Sequence, residues 1–294
     1  MKPRNQEFET LLRIAVHGLL VVFALFMLLP FAWVVGTALK SNEDIFSSLF
    51  LPAGDGWLGI AWDRLTLGNF RRLFAQEGVV RAIVNSTFYA SVGSLAATLC
   101  SAMGGYALAK YRFPGRHLVL VLVLGALLVP GPLLFAPSYQ LLYQLGLLDS
   151  YAGLILPALA PAVGVFLFRQ ALLNSVPDEI IEAARIDGAG ELRIFFSVVL
   201  PVVRPMLGAF LLITFLGAWN NFIGPQIVLQ DPELFPLPTV LASLRGNNFQ
   251  EWGLIASGTI VSIAPVMSLF LLLQREFIQG VIADVAPGRG ERDH

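Results

Sequence analysis

The side chains able to do chemistry are few and scattered along this 294-residue chain. Its lysines are Lys2, Lys40 and Lys110, and none follows a Gly-x-x-x-x-Gly run, so the chain has no ordinary phosphate-binding loop. The histidines His17, His117 and His294 lie far apart, and Cys100 is the only cysteine. That leaves no internal disulfide, no Cys-based metal site and no metal-ligand cluster; Cys100 reads as a small packing residue. No nucleophile stands beside a base at a useful spacing. No catalytic residue, metal or cofactor is therefore assigned to this chain, and an enzyme acting alone is poorly supported. What remains is the chemistry of docking. Residues 182–201 read Glu-Ala-Ala-Arg-Ile-Asp-Gly-Ala-Gly-Glu-Leu-Arg-Ile-Phe-Phe-Ser-Val-Val-Leu-Pro, a polar, helix-forming insert between apolar runs.

The elements that must carry this insert are membrane spans. The chain is 56% hydrophobic and 13% charged, about half the charge of a soluble domain. With a net charge of -1 it offers no argument for nucleic-acid binding. A membrane helix needs about 20 mostly apolar residues. Runs of that kind fall at 14–39, 82–109, 118–143, 151–168, 202–223 and 254–274, which predicts an all-α protein with six transmembrane helices forming one membrane domain over 1–294. The first run is too long for a signal-peptide core and lacks a clear cleavage site, so it reads as a retained anchor.

Basic residues set the orientation. Lys2, Arg4 and Arg13 precede the first span; Lys110, Arg112 and Arg116 follow the second; Arg169, Arg185, Arg193 and Arg204 lie around the insert; Arg275, Arg289 and Arg292 follow the sixth. The opposite side has fewer, most of them in one long loop, which counts less. Both termini and the insert are therefore expected in the cytoplasm. The spans themselves are not plain anchors. The third holds Pro130, Gly131, Pro132 and Pro137, and the second is rich in small and hydroxyl residues from Asn85 to Gly105. Such residues permit close helix packing and interhelical hydrogen bonds, and proline frees a carbonyl that a neighbour or a cavity must satisfy. A tightly packed bundle and a bundle that moves and lines a path fit this pattern equally. Span interiors lack the acidic or basic relays common in ion-coupled carriers; His17, near the cytoplasmic end of the first span, reads as interfacial.

The insert has its own physical logic. Pro177 suits a helix start, and Asp178, Glu179 and Glu182 place negative charge near that N-terminus. Ala183 and Ala184 favour helix and keep one surface low. Gly188 permits a sharp turn. After it, Leu192, Phe195, Phe196 and Val199 fall at i, i+3, i+4 and i+7, which predicts one apolar face of a second short helix. A lipid-bound helix is usually basic; the first of these is acidic, so a protein socket fits better.

The segment resembles the EAA loop of ABC-importer permeases: Glu182-Ala183-Ala184, then Asp187-Gly188-Ala189, then Val198 in place of the usual Ile, then Leu200-Pro201. Other stretches are similar to the carbohydrate-uptake branch, in the second permease of maltose and glycerol-3-phosphate importers. These are Ala38-Leu39-Lys40 with Ile45-Phe46, Asn85-Ser86, Gly105-Tyr106-Ala107-Leu108-Ala109, Trp219-Asn220 and Gln274-Arg275-Glu276-Phe277-Ile278-Gln279-Gly280. The ending Asp284-Val285-Ala286-Pro287-Gly288 departs from that pattern.

The resemblance implies the type I importer permease fold, in a bacterial or archaeal cytoplasmic (inner) membrane. It implies a second permease subunit, two ATPase subunits that bind ATP and Mg, an external substrate-binding protein, and a sugar or sugar derivative as substrate. Residues 177–201 would then be the coupling loop, with Glu182 as polar contact, Ala183 and Ala184 as docking face, Asp187 and Gly188 at the turn, and Leu200-Pro201 closing it. Tyr89, Trp219, Asn220 and Asn221 are candidates for the translocation path, because aromatic faces and amides suit sugars. Asn247, Asn248 and Gln250, in the outer loop 230–253, are candidates for contact with the binding protein. A stand-alone secondary carrier and a non-sugar importer, for instance of glycerol-3-phosphate, stay open as alternatives.

Overall fold

The computed structural model describes residues 3–76, 78–244 and 251–285. Among them every regular element is helical, and the only strand-like pairing is a single bridge between Ala53 and Ile60. The described residues fall into two compact units, one drawn from Met1–Glu77 and Ser243–Ile263, the other from Gly78–Ala242 and Ala264–His294. Among the described residues three helices are each long and apolar enough to cross a membrane, and the number rises to six where each of three bent helix pairs is taken as one broken span.

In the first unit, α1 (Pro3–Ala38) contains an apolar stretch, Glu9–Ala38, with none of its most hydrophobic window buried. A helix apolar all round with exposed side chains is built to face lipid. Its last carbonyls lack helical partners, and Asn69 of α2 (Gly68–Ala75) supplies them: the buried Nδ2 donates to Ala38 O at 2.9 Å and Lys40 O at 2.7 Å. Lys40 is fully buried and donates to Ser48 O at 2.6 Å. Arg72 pairs with Glu251 at 2.5 Å, just before α14 (Trp252–Val285).

In the second unit the central element is α3 (Val79–Lys110), 32 residues without a proline. At 1.5 Å per residue it is about 48 Å long, more than the roughly 30 Å hydrocarbon core. The neighbouring spans are broken where the sequence-based boundaries ran straight through. α4 (Arg116–Leu127) and the chain from Gly131 through α5 (Phe135–Gln144) meet at 106°. The stretch from α6 (Tyr151–Ile155) to Ala158 meets α7 (Ala162–Ser175) at 41°. The span expected at 202–223 is the shorter α11 (Arg204–Trp219), reached through an 86° bend after Val202. Pro130, Pro161 and Pro205 sit at or beside the three breaks. Proline removes an amide donor and drives the preceding residue out of helical geometry.

Small residues let α3 and α7 touch backbone to backbone. A Cβ on Gly105 would lie 2.7 Å from Arg169 N and 2.7 Å from Phe168 Cβ. One on Gly164 would lie 2.4 Å from both Ser101 Oγ and the ring of Phe210. This packing places the Lys110 end of α3 against the 177–201 insert.

Candidate functional site

The insert begins with α8 (Asp178–Ile186), whose first turn carries Asp178 and Glu179 after an extended Pro177. Ile181 is buried, whereas Glu182, Ala183, Asp187 and Gly188 are exposed and Ala184 is half-buried. The helix ends in a Schellman turn: Ala189 N donates to Ala184 O and Gly188 N to Arg185 O, both at 3.0 Å. That motif needs a left-handed residue, and Gly188 supplies it at φ +79°. The chain resumes in α9 (Glu191–Ile194), a π-turn (Phe195–Val199) and α10 (Leu200–Val202).

The apolar face of this second helix differs from the expected one. Ile194, Phe195 and Val199 are buried, whereas Leu192 is 66% and Phe196 52% exposed. The π-turn is the reason: its wider i→i+5 bonding shifts the phase of a 3.6-residue pattern and brings Ile194 and Val199, five apart, to the core. Leu192 and Phe196, with Ile186 at 87%, are left as exposed apolar side chains among Glu182, Asp187 and Arg193. Leu200 is half-buried and Pro201 exposed.

The insert is fastened to the bundle. Ile181, Ile194, Phe195 and Val199 share one core with Ala102 and Tyr106 of α3, Phe168 and Leu172 of α7, and Phe210 of α11. Around that core runs a polar clamp. Lys110, the last residue of α3, donates to Val176 O at 2.5 Å and to Asp178 Oδ1 at 2.6 Å. The bond to Lys110 holds the Asp178 carboxyl below the usual range. Tyr111 donates its hydroxyl to Glu191, which also accepts from Arg185 Nε at 2.8 Å, and Arg185 stands 5.9 Å from the Tyr111 ring centre. Burial first, then the bond to Glu191, raises the Tyr111 phenol. A cleft of about 340 Å³ lies between these groups, lined by Lys110, Tyr111, Arg112, Asp178, Ile181, Glu182 and Arg185. These partners lie 66 to 80 residues apart, so in the sequence Lys110 signals only a span end.

A second cavity, of about 270 Å³, lies among α3, α6 with the turn that follows it, α11, and the chain after α11. Two of the path candidates meet there: Tyr89 and Asn221 both line it, with Ser94, Thr214 and several small residues and prolines. No Asp, Glu, Lys, Arg or His lines it. Trp219 and Asn220 do not reach it. Trp219 is 1% exposed and stacks on Phe215, ring centres 5.9 Å apart. Asn220 is exposed and donates to Leu216 O at 3.0 Å. Asn247, Asn248 and Gln250 lie outside the described residues. Near the Val79 end of α3, Asn85 meets Tyr151, and Asp149 binds the backbone of Gln230 and Asp231, contacts that no local spacing reveals.

Known proteins carry the same organisation. The arabinooligosaccharides transport system permease protein AraQ of Halalkalibacterium halodurans is 40% identical over 221 residues, covering 74% of this chain and 78% of that protein. The lactose transport system permease protein LacG of Rhizobium radiobacter is 32% identical over 270 residues, 92% of this chain and 94% of its own. A crystal structure of a bacterial ABC transporter involved in the import of the acidic polysaccharide alginate superposes with a TM-score of 0.76 at 22% identity, over 94% of this chain and 99% of that one. The shared feature there is the type I ABC-importer permease fold. Residues 101–281 match a family model from within α3, through the 177–201 insert, to the last helix, and the chain belongs to that family, the binding-protein-dependent transport system inner membrane components.

Proposed function

We propose that this chain is one of the two membrane-spanning subunits of an ATP-driven importer and acts as a single membrane domain. It passes a neutral sugar or oligosaccharide received from an external binding protein. Two separate ATPase subunits bind ATP and Mg and grip the loop 177–201. The observation that carries this reading is the construction of that loop. Its inner side is welded to the ends of three spans, while Glu182, Ala183, Ile186, Leu192 and Phe196 are left outward on a rigid two-helix unit. An exposed apolar patch of this kind, rimmed by charge, marks a protein contact, and a rigid unit transmits force. The positive-inside pattern supports placing this loop and both termini in the cytoplasm.

The sugar assignment rests on the relatives' transport of sugars and on the cavity. Its lining offers hydroxyl and amide groups without a cation, and a phosphate such as that of glycerol-3-phosphate calls for Lys or Arg. Docking is tested by purifying the complex. Co-purification of the ATPase with the wild-type chain and its loss with Gly188→Trp support the reading; an ATPase that stays bound to the variant refutes the docking role. Substrate class is tested by uptake competition with neutral oligosaccharides and with sugar phosphates, and inhibition by the phosphates alone would overturn the neutral assignment.

A further inference from the structure

Polar side chains of the Val79 end of α3, with Asp149 and Tyr151 beside it, clamp the backbone of the segment 230–237, which the functional reading above places outside the membrane. Asn85 is 3% exposed; its Nδ2 donates to Glu233 O at 2.8 Å and Phe235 O at 3.1 Å, and its Oδ1 accepts from the Tyr151 hydroxyl at 2.9 Å. Ser86 Oγ accepts from Leu237 N at 2.7 Å. Tyr89 donates to Leu234 O at 3.1 Å. Asp149 Oδ1 accepts from Gln230 N and Asp231 N, both at 2.9 Å. Seating a segment needs only apolar contact, and burying an amide is costly unless every group is satisfied. A satisfied buried network fixes one register and makes the join stiff. Asp149 holds the start of the segment to the turn before α6, whereas Asn85, Ser86 and Tyr89 attach residues 233–237 to α3 directly.

That helix ends, 25 residues after Asn85 and about 37 Å away, in the second clamp, where Lys110 and Tyr111 hold Val176, Asp178 and Glu191. Between the clamps α3 has no break, whereas α4–α5, α6–α7 and α10–α11 are all bent. We propose that α3 is the transmission rod of the importer, and that Asn85 and Ser86 are positioning residues that tie the external segment to it. Displacement imposed outside by a loaded binding protein then arrives at the docking loop as movement of one rigid body. This rests on the functional reading above.

The test is ATP hydrolysis by the complete complex in phospholipid vesicles, titrated with substrate-loaded binding protein. Asn85→Ala should leave basal hydrolysis and the half-saturating concentration of binding protein unchanged. Maximal stimulation should fall about fivefold or more, the lower end of ordinary coupling between sites. Tyr111→Phe, at the far clamp, should also lower it. The double variant decides between a rod and two local defects. Elements in series give a double variant no worse than the worse single one, whereas independent distant sites multiply their effects. Multiplied effects, or full stimulation in Asn85→Ala, would overturn the proposal. Should Asn85→Ala fail to assemble, Ser86→Ala removes a single acceptor and is read in the same way. A wild-type complex indifferent to the loaded binding protein would overturn the functional reading itself, and the rod with it.

Discussion

Glu182 and Gly188 sit six residues apart on the docking loop, yet substitution should separate two different roles. Around Gly188 an added Cβ would meet nothing within 4 Å, but the residue holds φ +79°. Gly188→Ala therefore costs only backbone strain, about 1–2 kcal/mol, read as a small loss of thermal stability with the ATPase still bound. Gly188→Trp adds the same strain and a large side chain in open space, so the same preparation should lose the ATPase. Glu182 is exposed and makes no fold-bearing contact in its helix, so Glu182→Lys should yield a folded chain with sugar uptake at background; uptake at the wild-type rate would remove Glu182 from the contact. The turn at Gly188 was legible in the sequence because it is local: a left-handed helix end favours glycine. Lys110, Tyr111 and Glu191 were not, because their partners are 66 to 80 residues distant and only the folded bundle joins them. Trp219 misled for the opposite reason: an aromatic at membrane depth suits a sugar, but its area is more fully used against Phe215 in the core.

The long apolar helices α1, α3 and α14 could be located from apolar runs because length and lack of charge are enough to mark a candidate span. The shapes of the bent pairs could not be read in the same way. A run of apolar residues looks the same whether straight or broken, and the angles of 41°, 86° and 106° depend on which freed carbonyls find partners. The π-turn at Phe195–Val199 shows the same limit in miniature. Periodicity assumes a constant twist, and one wide turn exchanges Ile194 for Leu192 and Phe196 in the core. The crossing of α3 and α7 offers a test of element packing. Gly105→Ala would place a Cβ 2.7 Å from a backbone nitrogen, so the two helices must separate. Overpacking of this kind costs about 1–3 kcal/mol, and unfolding in detergent should begin several degrees lower. Gly125→Ala is the control: the new Cβ meets nothing within 4 Å, and alanine is the better helix former, so thermal stability should hold or rise. Equal behaviour of the two variants would argue against close backbone contact as the source of the α3–α7 join.

At the scale of the whole molecule, everything said of the docking loop depends on which side of the membrane it occupies. Charge alone argues for the cytoplasm, since carrying Arg169, Arg185, Arg193 and Arg204 outward opposes the positive-inside bias that sets topology at insertion. A straight α3 of about 48 Å spans the hydrocarbon core, so its two ends fall on opposite faces of the bilayer, and fixing the side of one fixes the side of the other. The single cysteine makes the orientation directly measurable. Cys100→Ala removes the one native thiol, and a new thiol can then be placed at Glu179, exposed on the docking loop, or at Trp57, 76% exposed after the first span. A membrane-impermeant maleimide added to intact cells should label Trp57→Cys at once and Glu179→Cys only after the membrane is opened. Sugar uptake by both variants confirms that the labelled chains are folded. The reverse labelling pattern would put the loop outside, beyond the reach of any ATPase, and would dismantle the coupling assignment while leaving the fold intact.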